Sequence, residues 1–175
     1  VWNPERRERL HARLSEASES FASTVATTVV DELDAHRDAW VDSRRRACVD
    51  AHAAGRGGSG NPSLCLQSAR SGFAEVVAIL EQAGPDAVSR AHRILDALPR
   101  PQICDTADPG APSSASSEDV LEVERLITQA RSLGTRPESV DAAERAVARA
   151  EAIGDPTLRA RAAIEHGAAL VAVAE

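Results

Sequence analysis

The stretch CVDAHAAGRGGSGNPSLC, residues 48 to 65, decides the fold class. Cys48 and Cys65 flank a glycine-rich loop that spells G-x-G-x-x-G through Gly55, Gly57 and Gly60. A dinucleotide fingerprint needs a strand before it and a helix N-terminus immediately after, so that backbone amides point at phosphate. Here a helical pattern precedes the motif. Asn61-Pro62 follows it, so the next helix begins past the glycines and its proline removes an early amide. A Walker lysine is excluded outright, because the chain contains no lysine. The loop therefore reads as a flexible turn between two helices.

Two further readings of the same stretch concern its sulfurs. Cys48 and His52 lie one helical turn apart on one face, and with Cys65 and Cys104 they would supply three thiolates and one imidazole to zinc. No compact C-x2-C pair supports that set, and His52 also suits a solvated place in the last turn of a helix, favourable against the dipole. A disulfide is the reading that spacing favours. In an antiparallel helical hairpin Cys48 and Cys65 fall at the same end. A bridge between them closes about 16 intervening residues, worth about 3 kcal/mol in the chain-entropy picture. Two buried free thiols remain the plain alternative.

Outward from this turn the punctuation is regular. Asn3-Pro4, Asn61-Pro62, Gly84-Pro85 and Asp155-Pro156 each place a capping residue before a proline at the first helical position. The pattern predicts seven helices and no strand: Pro4 to Ser18, Ala22 to Ala54, Pro62 to Gln82, Pro85 to Leu98, Ser117 to Leu133, Pro137 to Ile153 and Pro156 to Ala174. The second carries Val25, Val29, Leu33, His36 and Trp40 on one stripe, and the third carries Leu66, Phe73, Val76, Val77 and Leu80. Leu33, Trp40, Phe73 and Val77 are the expected core, with Trp40 against Phe73 or Leu66. The last three helices bury Val120, Val123, Ile127 and Ala130; Val140, Ala143, Val147 and Ala150; and Leu158, Ala162, Ala169 and Val173. Such narrow, alanine-rich faces suit stacked helix pairs.

Residues 105–116 are rich in Pro, Ser and Ala without apolar period and read as a linker. The organisation expected is a helical unit over 1–104, the linker over 105–116 and a helix-pair unit over 117–175.

The 175 residues carry a formal net charge of -7, with an isoelectric point near 5.3. Acidity argues against non-specific nucleic-acid or anionic-membrane binding, and two Trp, two Phe and no Tyr leave little for base stacking. No apolar run is long enough to span a bilayer. Neither G-x-S-x-G nor H-E-x-x-H occurs, and no kinase catalytic-loop or D-F-G pattern is present. Arg44, Arg45 and Arg46 read as a solvated helix face beside Asp42 and Asp50, and His11, His36, His92 and His166 form no cluster in sequence.

LDAHRDAWVDSRRRAC (Leu33 to Cys48), CLQSARSGFAEVVAIL (Cys65 to Leu80) and AVSRAHRILDALPRPQIC (Ala87 to Cys104) together resemble one family. It comprises bacterial transmembrane serine/threonine protein kinases with a long helical region after the kinase domain. Val1-Trp2, Asp38-Ala39-Trp40, Cys48, Cys65-Leu66, Ala97-Leu98-Pro99 and Cys104 follow the family order, and the last three helices look like degenerate tetratricopeptide units, with Gly167 where such repeats favour glycine. The loop GRGGSGNPS is longer than the family's, and Gln67-Ser68-Ala69 replaces an arginine-rich segment.

The resemblance implies a non-catalytic sensor or interaction region in an extracytoplasmic, periplasmic position. Relatives tend to carry a cysteine just before the Val-Trp pair, which makes it the implied partner of Cys104. The fold class expected is all-α: a disulfide-stapled helical domain followed by tetratricopeptide-like pairs. No cofactor and no membrane contact by this segment are expected. A peptide, protein or small-molecule ligand is, and a homodimer fits the same reading. A groove between the fifth and seventh helices would place Glu124 and Arg131 as polar contacts, though both also read as solvated. The rival reading is a cytosolic, cytoplasmic scaffold whose cysteines are reduced or bind zinc; an all-α enzyme with a site between helices is a further rival.

Overall fold

The computed structural model describes residues 2–17, 20–53, 61–82, 86–105 and 116–174. Among them the chain is all-α. The helices are α1 (Pro4–Ser15), α2 (Ala22–Ala53), α3 (Asn61–Gln82), α4 (Asp86–Asp96), α5 (Ser117–Leu133), α6 (Pro137–Ile153) and α7 (Pro156–Ala174), with a 3-10 turn at Pro101–Asp105 between α4 and α5. The glycine motif at 55–60, the Gly84-Pro85 pair and most of the expected linker lie outside the described residues.

Local chemistry sets the helix starts. Asn3 accepts the Arg6 amide at 2.8 Å, with Pro4 at the first helical position. Ser116 accepts the Asp119 amide at 3.1 Å and donates its hydroxyl to the Asp119 carboxylate at 2.8 Å. Asp155 accepts the amides of Thr157 and Leu158 at 2.9 and 3.0 Å, ahead of Pro156. Gly134 and Gly154 close α5 and α6 at φ of 61° and 78°, where a side chain would be strained.

α1 to α4 share one core. Leu10 and Leu14 of α1 and Val29 and Leu33 of α2 pack with Phe73, Val76, Val77 and Leu80 of α3 and with Val88, Ala91 and Ile94 of α4. Leu33, Phe73 and Val77 are buried. Trp40 is only half-buried. It lies against α3, donating its indole N–H to the Leu66 carbonyl at 2.7 Å. A buried indole needs an acceptor, and the edge of the core supplies one. Phe73 instead stacks on His36, ring centroids 4.9 Å apart and 6° from parallel, and takes the edge of Trp2 at 6.3 Å.

α5, α6 and α7 are joined by short turns and form a second packed set. Val123, Leu126 and Ile127 meet Ala146 and Ala150 of α6 and Leu158 and Ala162 of α7. The buried face of α6 is rotated from the expected one: Ser139, Ala142, Ala143, Ala146 and Ala150 are buried, while Val140 and Val147 are partly exposed. Alanine lets α6 approach two helices at once, so the small residues take the centre and the valines the flanks. Val173, also expected inside, is 37% exposed, and Glu165 is buried in the α7 face.

The two sets meet along α3 and α5. A Cβ at Gly72 would stand 2.6 Å from Pro99 Cγ and 3.0 Å from Thr128 Oγ1, so glycine is what lets α5 and the α4 exit approach α3. Arg125 of α5 reaches Glu75 of α3 at 3.3 Å, and Arg93 of α4 donates to Thr135 at 3.1 Å.

Candidate functional site

The cysteines are placed differently from the spacing argument. Cys65 is bonded to Cys104, with 5.7 Å between their Cα atoms, and Cys48 is a free, exposed thiol. Two expectations are thereby corrected: the Cys48–Cys65 bridge, and a partner for Cys104 outside the chain. The reason is helical phase. Ser43 is the buried residue on this part of α2, and Cys48 stands five residues on, turned about 140° away from it. Meanwhile the 3-10 turn lies across α2 and α3. Asp105 pairs with Arg46 of α2 at 2.7 Å, which brings the buried Cys104 onto Cys65. The zinc set is corrected on the same ground: Cys65 and Cys104 spend their sulfurs on each other, while Cys48 and His52 are exposed. No group of three or more His, Cys, Asp or Glu side chains among the described residues could hold a metal ion.

Glu124 and Arg131 do face α7, but each meets a charge of this chain. Arg161 forks onto the Glu124 carboxylate, one arm at 2.8 Å, and Arg131 Nε donates to Glu165 at 2.6 Å. Both carboxylates are buried and both guanidiniums half-exposed. Burial raises the Glu124 carboxyl above its ordinary pKa, against the opposing pull of Arg161. These pairs brace α5 on α7. Thr128 and Ser132, also buried on α5, donate to the carbonyls one turn back, Glu124 and Thr128, both at 2.9 Å.

A concavity lies on another side, where α3, α5 and α6 converge. This cleft of about 640 Å³ is lined by Ser71 of α3, by Glu118, Leu121, Glu122, Arg125 and Leu126 of α5, and by Arg145 and Arg149 of α6. Leu121 and Leu126 give it apolar wall. Arg125 holds Glu122 through two contacts of 2.9 Å and keeps that carboxyl below its usual range, helped by the more distant Arg145 and Arg149. The same Glu122 hydrogen bond raises the Arg125 guanidinium. Arg149 pairs with Asp119, and Arg145 donates to Gln129 at 3.0 Å. The result is an open groove with an apolar wall, acidic groups on α5 and two arginines on α6. It suits recognition of a segment that offers both an aliphatic side chain and polar groups.

None of the cleft residues was singled out in the sequence. Glu122 and Arg125 are three apart and Arg145 and Arg149 four apart, which places each pair on one helix face. A solvated helix face has the same signature. Comparison with protein families, with curated proteins and with solved structures gave no match to this chain.

Proposed function

We propose that this chain is a non-catalytic sensor or protein-interaction region, and that it takes a short segment of a partner protein in the cleft between α3, α5 and α6. The observation that carries the reading is the cleft's make-up: leucines beside an ordered set of opposed charges, held by helices from both packed sets. A segment bound there contacts α3 and α5 together, so its binding energy bears on how the two sets are held. The net negative charge favours a neutral or basic segment over nucleic acid.

The wider setting proposed is the regulatory region of a bacterial serine/threonine kinase, with α5 to α7 as tetratricopeptide-like pairs. That part rests on the resemblance over Leu33–Cys48, Cys65–Leu80 and Ala87–Cys104. A bonded Cys65–Cys104 pair supports an extracytoplasmic position, because such bonds persist in oxidising compartments.

The test is selection of peptides from a random display library on the 175-residue chain, followed by calorimetry of the selected sequence. Leu121→Asp and Arg145→Glu are expected to weaken binding at least tenfold, about 1.4 kcal/mol, with an unchanged helical circular-dichroism signal. Selected peptides indifferent to both variants would remove the cleft from the proposal. Phosphotransfer from ATP-Mg by the purified chain would remove the non-catalytic reading.

A further inference from the structure

We propose that the groove between α2 and α4 is a second interaction surface, and that its occupant is a basic segment of a partner protein. An aliphatic side chain of that segment lies in the groove, and an arginine or lysine head meets Glu32 and Asp96 at one end. The course of the chain sets this geometry. α3 runs back along α2, with Leu66 beside Trp40 and Phe73 stacked on His36. α4 then runs forward again: Pro99, just past its end, packs on Gly72, and Asp105 reaches Arg46 of α2. The end of α4 therefore comes level with His36, one turn beyond Glu32, and Asp96 comes level with Glu32. Between the two helices lies a groove of about 270 Å³. Its floor is Val29, Val88 and Ala91, all buried in the α1 to α4 core, and its walls are the half-buried Val25 and Leu95. From Val25 to Glu32 is about 10 Å along α2, seven positions at 1.5 Å each. At the far end both carboxylates are exposed and both line the groove.

Charge complementarity selects the occupant. Among the described residues no arginine lines this groove. Glu32 has no hydrogen bond or ion pair among them, and Asp96 has only the exposed His92 at 3.5 Å. Arg93, next to His92 in sequence, turns the other way and donates to Thr135 at 3.1 Å. Other junctions between helices are treated differently. Arg6 meets Glu81, Arg125 meets Glu75, Arg161 meets Glu124 and Arg131 meets Glu165, so the chain supplies its own cation at each. Lysine and arginine lay their methylene stems along apolar surface and keep the charged head in water at its edge. An apolar trough that ends in two carboxylates fits that division of the side chain. An acidic segment would be repelled there, and a purely aliphatic one would leave the carboxylates unmet. The groove is also smaller than the roughly 300 Å³ at which pockets for separate small molecules begin, which suits side chains carried on a segment. It shares no residue with the cleft between α3, α5 and α6, so this inference stands apart from the function proposed above.

Heteronuclear NMR titration of the whole chain with the peptide acetyl-Arg-Gly-Leu-Gly-Arg-amide tests it. A basic residue on each side of the leucine lets either chain direction bind. The amides of Thr28, Glu32, Ala91 and Asp96 are expected to shift and to saturate with a dissociation constant at or below about 1 mM. Acetyl-Glu-Gly-Leu-Gly-Glu-amide and acetyl-Arg-Gly-Gly-Gly-Arg-amide should each bind at least about fivefold more weakly, the first for want of charge and the second for want of the aliphatic side chain. Glu32→Gln combined with Asp96→Asn is isosteric at two exposed positions, keeps the fold, and should weaken the basic peptide by at least about fivefold. Asp50→Asn combined with Glu151→Gln makes the same charge change at exposed positions away from the groove and should weaken it by less than about twofold. No saturable shift up to about 10 mM would overturn the inference. So would shifts confined to other surfaces, equal affinity for either control peptide, or equal losses in the two double variants.

Discussion

Cys65 precedes Leu66, whose carbonyl takes the Trp40 N–H, so one short length of α3 anchors both the 3-10 turn and the second helix. The bond between Cys65 and Cys104 spans 39 positions and is worth about 4 kcal/mol in the chain-entropy picture, less whatever structure the unfolded chain retains. Cys104→Ser is therefore expected to cost about 2–4 kcal/mol in urea unfolding under oxidising conditions, and Cys48→Ser close to nothing. Reductant should erase the difference between wild type and Cys104→Ser. Peptide mapping of the non-reduced protein should find Cys65 joined to Cys104 and Cys48 alkylated. His36 offers a second test. Its ring lies flat on Phe73, its Nε2 is buried without a hydrogen-bond partner, and burial lowers its pKa from 6.5 to about 4. The unfolded chain takes up this proton near pH 6.5 and the folded chain resists it until about pH 4. Stability is thus complete above 6.5 and declines as pH falls between the two values, by on the order of 2 kcal/mol after allowance for partial exposure. Asp34 and Glu81, held below their ordinary values by Trp2 and Arg7 and by Arg6, add their own loss only at lower pH. In His36→Leu the slope between pH 5 and 6.5 should flatten; an unchanged slope there would assign it to other groups.

Among the elements, α3 has the most demanding place, since it faces the α1–α4 core on one side and α5 on the other. Gly72 makes the second contact feasible. Gly72→Val must displace the Pro99 ring and Thr128, and overpacking of this kind costs about 1–3 kcal/mol despite the better helix propensity of the new residue. The expected reading is a lower thermal midpoint, with the loss concentrated in hydrogen-exchange protection of α5. Gain of stability would show that α3 and α5 can separate at no cost. α5 and α7 are held by a different means. Glu124 and Glu165 lie in faces that periodicity marks as apolar, and each is tolerated because a guanidinium from the facing helix reaches it. Those two pairs sit where a binding groove was expected between α5 and α7, and they are spent on holding the helices together.

For the molecule as a whole, a Pro/Ser/Ala-rich stretch between two runs of helical period predicts a division at 105–116, a boundary that falls mostly outside the described residues. The contact between α3 and α5 carries no such signal. It depends on a glycine in α3, a proline after α4 and a threonine in α5, none of which has a distinguishing signal in one dimension. The cleft follows from that contact: Ser71 belongs to one set and Arg145 and Arg149 to the other, and only docking of α5 on α3 brings them round one space.

By itself the sequence determined the helices. Capping residues before prolines, apolar steps of three and four, and glycine at the ends of α5 and α6 act over a turn or two of chain, so they can be read without knowing what packs on what. It also set the absence of lysine and the wrong context for a phosphate-binding loop. Tertiary structure decided the rest. Which cysteine meets Cys65 depends on the rotational phase of a 32-residue helix and on where a 3-10 turn crosses it, and a small error in either changes the partner. Which face of α6 is inside depends on two neighbours at once, and close approach selected the alanines over the valines. Whether Glu124 and Arg131 are free to bind or already paired depends on α7, more than thirty residues away for each. Local rules fix what a segment becomes; the distance between segments fixes what it touches.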